Sequence, residues 1–299
     1  MGHEGVGHVE KLHPSVEGKG FKHGDPVGFL YFLGCCNECE GCEIHQLHCE
    51  TGNQRLQGFS VDGFFAEYAI IDWQNAIILP SNLDMTRCAP IFCAGITCML
   101  SLLNRYSPLT RNTAFHAVDS CDLKPGQWFG VVGAGGLGQF AVQYAKAMGL
   151  KVVAIDIQDG SLEVCKTLGA DAVFNSKTNP NYVEELKKLT NGGVHAAAVF
   201  SAAKAAYTST PPILRIGGLI MVIGIPAEDI PVSTFALTTG IYRVKAESTS
   251  IPKRMPKAVE FTAKHNILPD VDFRPLEDLP AMVAEMQAGK LTKRQAVLF

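Results

Sequence analysis

Apolar positions along this chain change period part-way, and the change marks two kinds of structure. Up to about residue 90, apolar residues fall in short alternating runs, such as 64–71 and 76–79, between turn-rich segments. Alternation broken by Gly, Pro and Asn predicts β-strands joined by loops rather than helices. From Gln127 onward, solid apolar runs alternate with helical stripes. QWFGVVG reads as a short buried strand, GLGQFAVQYAKAMGL as a helix with one apolar face, and KVVAID as a second buried strand. Such a strand–helix–strand unit predicts a parallel sheet covered by helices. The alternation continues with helices over 162–168 and 181–189 and strands over 172–174, 196–200, 218–224 and 242–246. Beyond Pro256 the pattern predicts helices over 257–264 and 279–288 and a last strand over 295–299.

Composition narrows the function classes. The chain has 299 residues, of which 47% are hydrophobic and 18% charged, which excludes a disordered polymer. Its 26 basic and 29 acidic residues leave a formal charge of −3. That balance carries no electrostatic footprint for nucleic acid or an anionic membrane. The longest apolar stretches, 27–36 and 216–226, are too short and too glycine-broken to cross a bilayer. The opening MGHEGVGHVEKLHP has neither the basic start nor the apolar core of a signal peptide, and Val6 stands where a myristoylation signal wants Ser or Thr. A cytoplasmic protein without nucleic-acid or membrane partners is expected.

Two clusters carry chemistry. Five of the ten cysteines lie between Cys35 and Cys49. In a long chain without a secretory signal, such a cluster reads as metal binding before it reads as a disulfide framework. Cys36, Cys39, Cys42 and Cys49 offer four thiolates at a spacing that can wrap one tetrahedral Zn²⁺. A closed four-sulfur set leaves no open position for catalysis, so this zinc would be structural. Cys35 can stand in for Cys36, and His45 or His48 can serve as the fourth ligand.

The second cluster is Gly133-Ala134-Gly135-Gly136-Leu137-Gly138, placed between a predicted strand and a predicted helix. The first glycine permits the tight turn, the second lets backbone approach a pyrophosphate, and the third allows close helix–strand packing. The helix N-terminus adds free N–H groups and a positive dipole end. Asp156 closes the second strand, 18 residues past Gly138. An acid there accepts hydrogen bonds from ribose hydroxyls and repels a 2′-phosphate, favouring NAD over NADP.

Taken together, these residues resemble the zinc-containing alcohol dehydrogenases of the medium-chain dehydrogenase/reductase superfamily. The matching segments are Gly2-His3-Glu4, Gly24-Asp25-Pro-Val27-Gly28, the cysteine lobe, Asp62-Gly63-Phe-Phe-Ala-Glu67-Tyr68, Cys93-Ala-Gly95-Ile-Thr97, Leu123-Lys124-Pro125-Gly126, the glycine loop, and Gly289 through Arg294. They span almost the whole chain in the family's order. The resemblance implies an α/β fold: a doubly wound Rossmann sheet with a β-rich GroES-like catalytic domain. The catalytic domain would take residues 1–97, with the zinc lobe at 35–50, and return for 257–299. The Rossmann domain would take 98–256, with 98–115 as an anomalous insertion. By resemblance, His3 and Cys93 bind a catalytic zinc with Glu4 beside them, and Arg294 binds cofactor phosphate. Phe32 is a candidate for the substrate pocket or for core. The implied activity is oxidation of a small primary or secondary alcohol to an aldehyde or ketone with NAD, in a homodimer or homotetramer.

Departures from the family pattern also bear on function. The family's first catalytic-zinc ligand is a Cys upstream of the Gly-His-Glu motif, followed closely by the Ser or Thr and the His that relay a proton. This sequence begins at that motif. An N-terminally incomplete member is therefore expected, one that binds zinc and NAD better than it catalyses. A non-catalytic NAD- and zinc-binding protein is the alternative.

Overall fold

The computed structural model describes residues 2–92, 113–247, 251–288 and 293–299. The chain forms two compact units, 1–94 with 249–299, and 95–248. Cys93 and residues 98–112 of the expected insertion lie outside the described residues; its last three residues, 113–115, open a helix.

In the first unit, β1 (Gly5–His8), β2 (Pro26–Phe29), β3 (Phe32–Leu33), α1 (Glu40–Ile44), β4 (Arg55–Leu56), β5 (Ala76–Ile78) and α2 (Met85–Cys88) follow one another. An antiparallel sheet runs β1-β2-β5, and β3 pairs with β4. Its core is aromatic: Leu30, Tyr31, Phe32 and Phe92 are fully buried, and Tyr31 stacks on Phe32 with ring centroids 4.7 Å apart. Phe32 is therefore core. The strand expected over 64–71 does not form. Its backbone finds no ladder: the Phe64 N–H donates to the Gly2 carbonyl, and the Gln57 side chain donates to the Ile70 carbonyl. Tyr68 and Ile70 are left exposed. The short helices α1 and α2 were not expected there; Cys39 and Asp84 start them by accepting backbone N–H groups through their side chains.

The second unit contains α3 (Thr113–Asp119), β6 (Trp128–Val132), α4 (Gly136–Ala147), β7 (Lys151–Asp156), α5 (Asp159–Thr167), β8 (Ala172–Asn175), α6 (Tyr182–Thr190), β9 (Val194–Val199), α7 (Lys204–Ser209), β10 (Leu214–Val222), α8 (Thr234–Thr238) and β11 (Tyr242–Ala246). Its six strands form one parallel sheet in the order β11-β10-β9-β6-β7-β8. This is the doubly wound arrangement that the sequence pattern predicts. The direction of winding reverses between β6 and β9, so a crevice opens beyond their carboxyl ends. The central strands are apolar on both faces: Val131, Val153, Ala197 and Val199 are at most marginally exposed.

The chain then returns to the first unit with α9 (Met255–His265), β12 (Val271–Phe273), α10 (Leu279–Gln287) and β13 (Arg294–Ala296). The last strand stops at Ala296, and Leu298 and Phe299 are 58% exposed, because β13 pairs with only three residues of β12. Among the described residues, no helix is long and apolar enough to cross a membrane.

Candidate functional site

The cysteine lobe is assembled by local backbone geometry. Cys36, Cys39, Cys42 and Cys49 bring their sulfur atoms within 4.8 Å of one another, and they are the one group of three or more potential metal ligands among the described residues. Cys36 Sγ lies 3.9 Å from Cys42 Sγ and 3.6 Å from Cys49 Sγ. Backbone N–H groups already point at the sulfurs. Cys36 N–H donates to Cys49 Sγ, and the N–H groups of Cys42 and Glu50 donate to Cys39 Sγ, each at 3.4 Å.

These donors set the thiol chemistry. The Glu50 and Cys42 N–H groups hold the Cys39 thiol below its ordinary pKa. Burial works to raise Cys49, but the Thr51 hydroxyl, 3.1 Å away, and the Cys36 N–H outweigh it and bring it down to about 6. Cys42 moves the other way, raised chiefly by burial. With some sulfurs poised as thiolates and others needing a counter-charge, the set fits a divalent soft-tolerant cation such as Zn²⁺. Cys35 is not part of it. Its thiol faces the Gln46 carbonyl at 3.6 Å, and burial first, with Cys49 second, pushes it up to about 12. His45 also turns away: its Nδ1 accepts the Leu47 N–H at 3.1 Å, and burial lowers it to about 4. A buried amide relay anchors the lobe, with Gln46 Nε2 donating to Asn37 Oδ1 at 2.6 Å and Asn75 Oδ1 at 2.7 Å, and Asn75 Nδ2 donating to the Phe32 carbonyl at 2.6 Å. Sequence reasoning missed Thr51, Gln46 and Asn75, because single polar residues far from a motif carry no local signal.

At Glu4, the carboxylate is held by Arg294, whose Nη1 lies 3.0 Å from Oε1 and 3.3 Å from Oε2. Both side chains are largely buried, at 16% and 9% exposure. His3 packs its ring against Phe59 and edge-on to Tyr31, at centroid distances of 4.7 and 5.6 Å. The structure thus places Glu4, His3's neighbour, beside Arg294, two residues the sequence separates by almost its whole length.

The glycine loop follows β6, at the switch point of the sheet. Gly133 has φ +98°, and a Cβ there would meet the Ser201 backbone N at 2.9 Å. A Cβ on Gly138 would lie 2.1 Å from the Gly133 carbonyl oxygen, which explains the close packing of α4 on β6. Around Gly135 there is nothing within 4 Å of that position. Gly136 opens α4, and Leu137 is buried beneath the loop. The loop therefore leaves an open cradle at a helix N-terminus, of the kind a pyrophosphate fills. Asp156 closes it. Its Oδ2 accepts the Ala134 N–H at 2.5 Å, and its Oδ1 accepts the Ile157 and Gln158 N–H groups at 2.7 and 2.9 Å.

Comparison with known proteins bears on both units. The sequence model of the alcohol dehydrogenase GroES-like domain matches residues 1–81, and that of zinc-binding dehydrogenases matches 136–264. An alcohol dehydrogenase of Geobacillus stearothermophilus is 36% identical over 295 residues, covering 98% of this chain and 81% of the relative. The chain belongs to the zinc-type alcohol dehydrogenase family. Zinc-type alcohol dehydrogenases are oxidoreductases that typically use NAD, and the cysteine cluster here can hold zinc. The fold agrees as well. The crystal structure of the alcohol dehydrogenase of the archaeon Aeropyrum pernix superposes with a TM-score of 0.82 at 26% identity, covering 99% of this chain and 82% of that one. The alcohol dehydrogenase of Thermus sp. ATN1 gives 0.82 at 23% identity, covering 100% and 84%, a likeness of fold alone.

Proposed function

We propose that this alcohol dehydrogenase oxidises small primary or secondary alcohols by hydride transfer to NAD, in the cytoplasm and as a homodimer or homotetramer. The observation that carries the reading is the open cradle at Gly135, framed by Gly133 and Gly138 and closed by Asp156. The N–H groups that open α4 face the phosphates, while Asp156 takes the ribose hydroxyls through lone pairs its three backbone donors leave spare. Cys36, Cys39, Cys42 and Cys49 hold a structural zinc. His3 and Cys93 are the proposed protein ligands of a second zinc, and Arg294 orients Glu4, the next residue after His3. When bound, the two groups supply a hydride acceptor and a Lewis acid for the substrate oxygen.

The test is NAD-linked oxidation of ethanol and of longer primary and secondary alcohols by zinc-loaded protein, alongside titration with NADH. Turnover with NAD, and little with NADP, is the expected result. NADH binding without turnover on any alcohol would favour the non-catalytic alternative. No binding of either dinucleotide would overturn the proposal altogether.

A further inference from the structure

At the opposite, amino-terminal edge of the second unit's sheet lies a recess of about 550 Å³. Lys124, Arg215, Arg243 and Lys245 line it, with Asp122 as the carboxylate, so the lining carries a net charge of 4 − 1 = +3. The fold gathers these cations from far apart. Arg243 and Lys245 are alternate residues of β11 and so share one side of the strand. Arg215 sits at the start of β10, where the register against β9 shifts between Leu214 and Leu219. Lys124 stands in the turn before β6. Among the described residues, none of the four is ion-paired with a carboxylate. Lys245 Nζ and Arg243 Nε reach only backbone carbonyls, those of Ser120 at 2.9 Å and Gly217 at 3.3 Å.

A second observation places two donors side by side at the recess wall. The Trp128 N–H donates to His195 Nδ1 at 3.1 Å, so the ring proton of neutral His195 sits on Nε2. Burial first, and Arg215 second, lower the His195 pKa and keep the ring neutral. Yet His195 Nε2 contacts Arg215 Nη1, which is also a donor. Two donors converge at the recess wall with no lone pair between them. An anion lying beside the pair can accept from both His195 Nε2 and Arg215 Nη1. We infer that this recess binds a small phosphate-bearing anion, at a site separate from the glycine loop. Phosphate suits it better than a monocarboxylate because it brings two negative charges and enough oxygens for a guanidinium fork and further donors.

The experiment is calorimetric titration of zinc-loaded protein at constant ionic strength, with inorganic phosphate in one arm and glycerol phosphate in the other. Saturable binding of one anion per chain is expected, and the tighter arm tells a free ion from a phosphate monoester. Arg215→Gln and Lys245→Gln should each weaken binding about tenfold or more. Gly135→Val, in the dinucleotide cradle, should leave it unchanged. If Arg215→Gln proves poorly folded by circular dichroism, Arg243→Gln, on an exposed side chain, carries the same expectation. No saturable heat from either probe would overturn the inference, as would binding lost in Gly135→Val but kept in the charge-neutralised variants. The cations would then answer only neighbouring backbone carbonyls, such as those of Ser120 and Gly217.

Discussion

Replacing Asp156 tests two roles that one carboxylate performs together. Its oxygens accept N–H groups from Ala134, Ile157 and Gln158. Ala134 is fully buried, so in Asp156→Ala its N–H loses its acceptor where water does not replace it. A buried donor left unpaired costs about 1–3 kcal/mol. Ile157 is 58% exposed and Gln158 is exposed as well, so their N–H groups rehydrate and add only some tenths of a kcal/mol. Asp156→Ala should therefore lose about 2 kcal/mol in urea unfolding. It should also loosen the glycine loop and weaken both dinucleotides. Asp156→Asn separates the roles, because its amide oxygen can still accept the Ala134 N–H while the charge is gone. It should lose less than about 1 kcal/mol of stability. Discrimination depends on charge, so both variants should narrow the ratio of NADPH to NADH dissociation constants, expected to be at least roughly tenfold in the parent protein. Calorimetry with each dinucleotide reads the ratio. If Asp156→Asn kept the parent ratio, or if the parent bound both dinucleotides equally, the assignment of Asp156 to the ribose would be refuted.

Further expectations concern zinc, the Glu4–Arg294 pair and pH. Protein made with zinc supplied should retain about one zinc in the cysteine lobe by atomic absorption, and Cys42→Ser should lose most of it and melt earlier; zinc-free parent protein would contradict the lobe assignment. Glu4→Gln should cost about 2–3 kcal/mol, since it leaves the largely buried Arg294 partly uncompensated, and the double variant Glu4→Gln/Arg294→Met should lose less than the sum of its parts in urea unfolding. At Asp171, burial works to raise the carboxyl, but Lys146, 2.8 Å away, and the Val152 N–H, at 2.6 Å, outweigh it and hold the group below its ordinary value of 3.8. A depressed folded-state pKa contributes stability above the unfolded value and loses it as pH falls through the folded one. Asp171→Asn should thus flatten the loss of stability below about pH 4, and an unchanged acid limb would argue against the pairing.

Much of the second unit was determined by the sequence alone. Buried parallel strands must be apolar on both faces and their helices on one, so β6, α4 and β7 were legible from periodicity, and the glycine loop from its place between them. The cysteine spacing likewise located the metal lobe, because four ligands within fourteen residues need little help from the rest of the fold, though it left Cys35, His45 and His48 as alternatives. Strands of the first unit were less legible. The alternation at 64–71 met the pattern of a strand, but pattern does not supply a partner, and that backbone hydrogen-bonds to Gly2 and Gln57 instead. Tertiary structure decided everything that depends on distant residues meeting. It chose Cys36 over Cys35 by turning the latter to the Gln46 carbonyl. It gave Asp156 a structural task at Ala134, joined Glu4 to Arg294, and brought Arg215, Arg243, Lys245 and His195 to the lining of one recess. Periodicity records which face of an element is buried, whereas a contact between elements depends on sheet order and register, which no local stretch of sequence encodes.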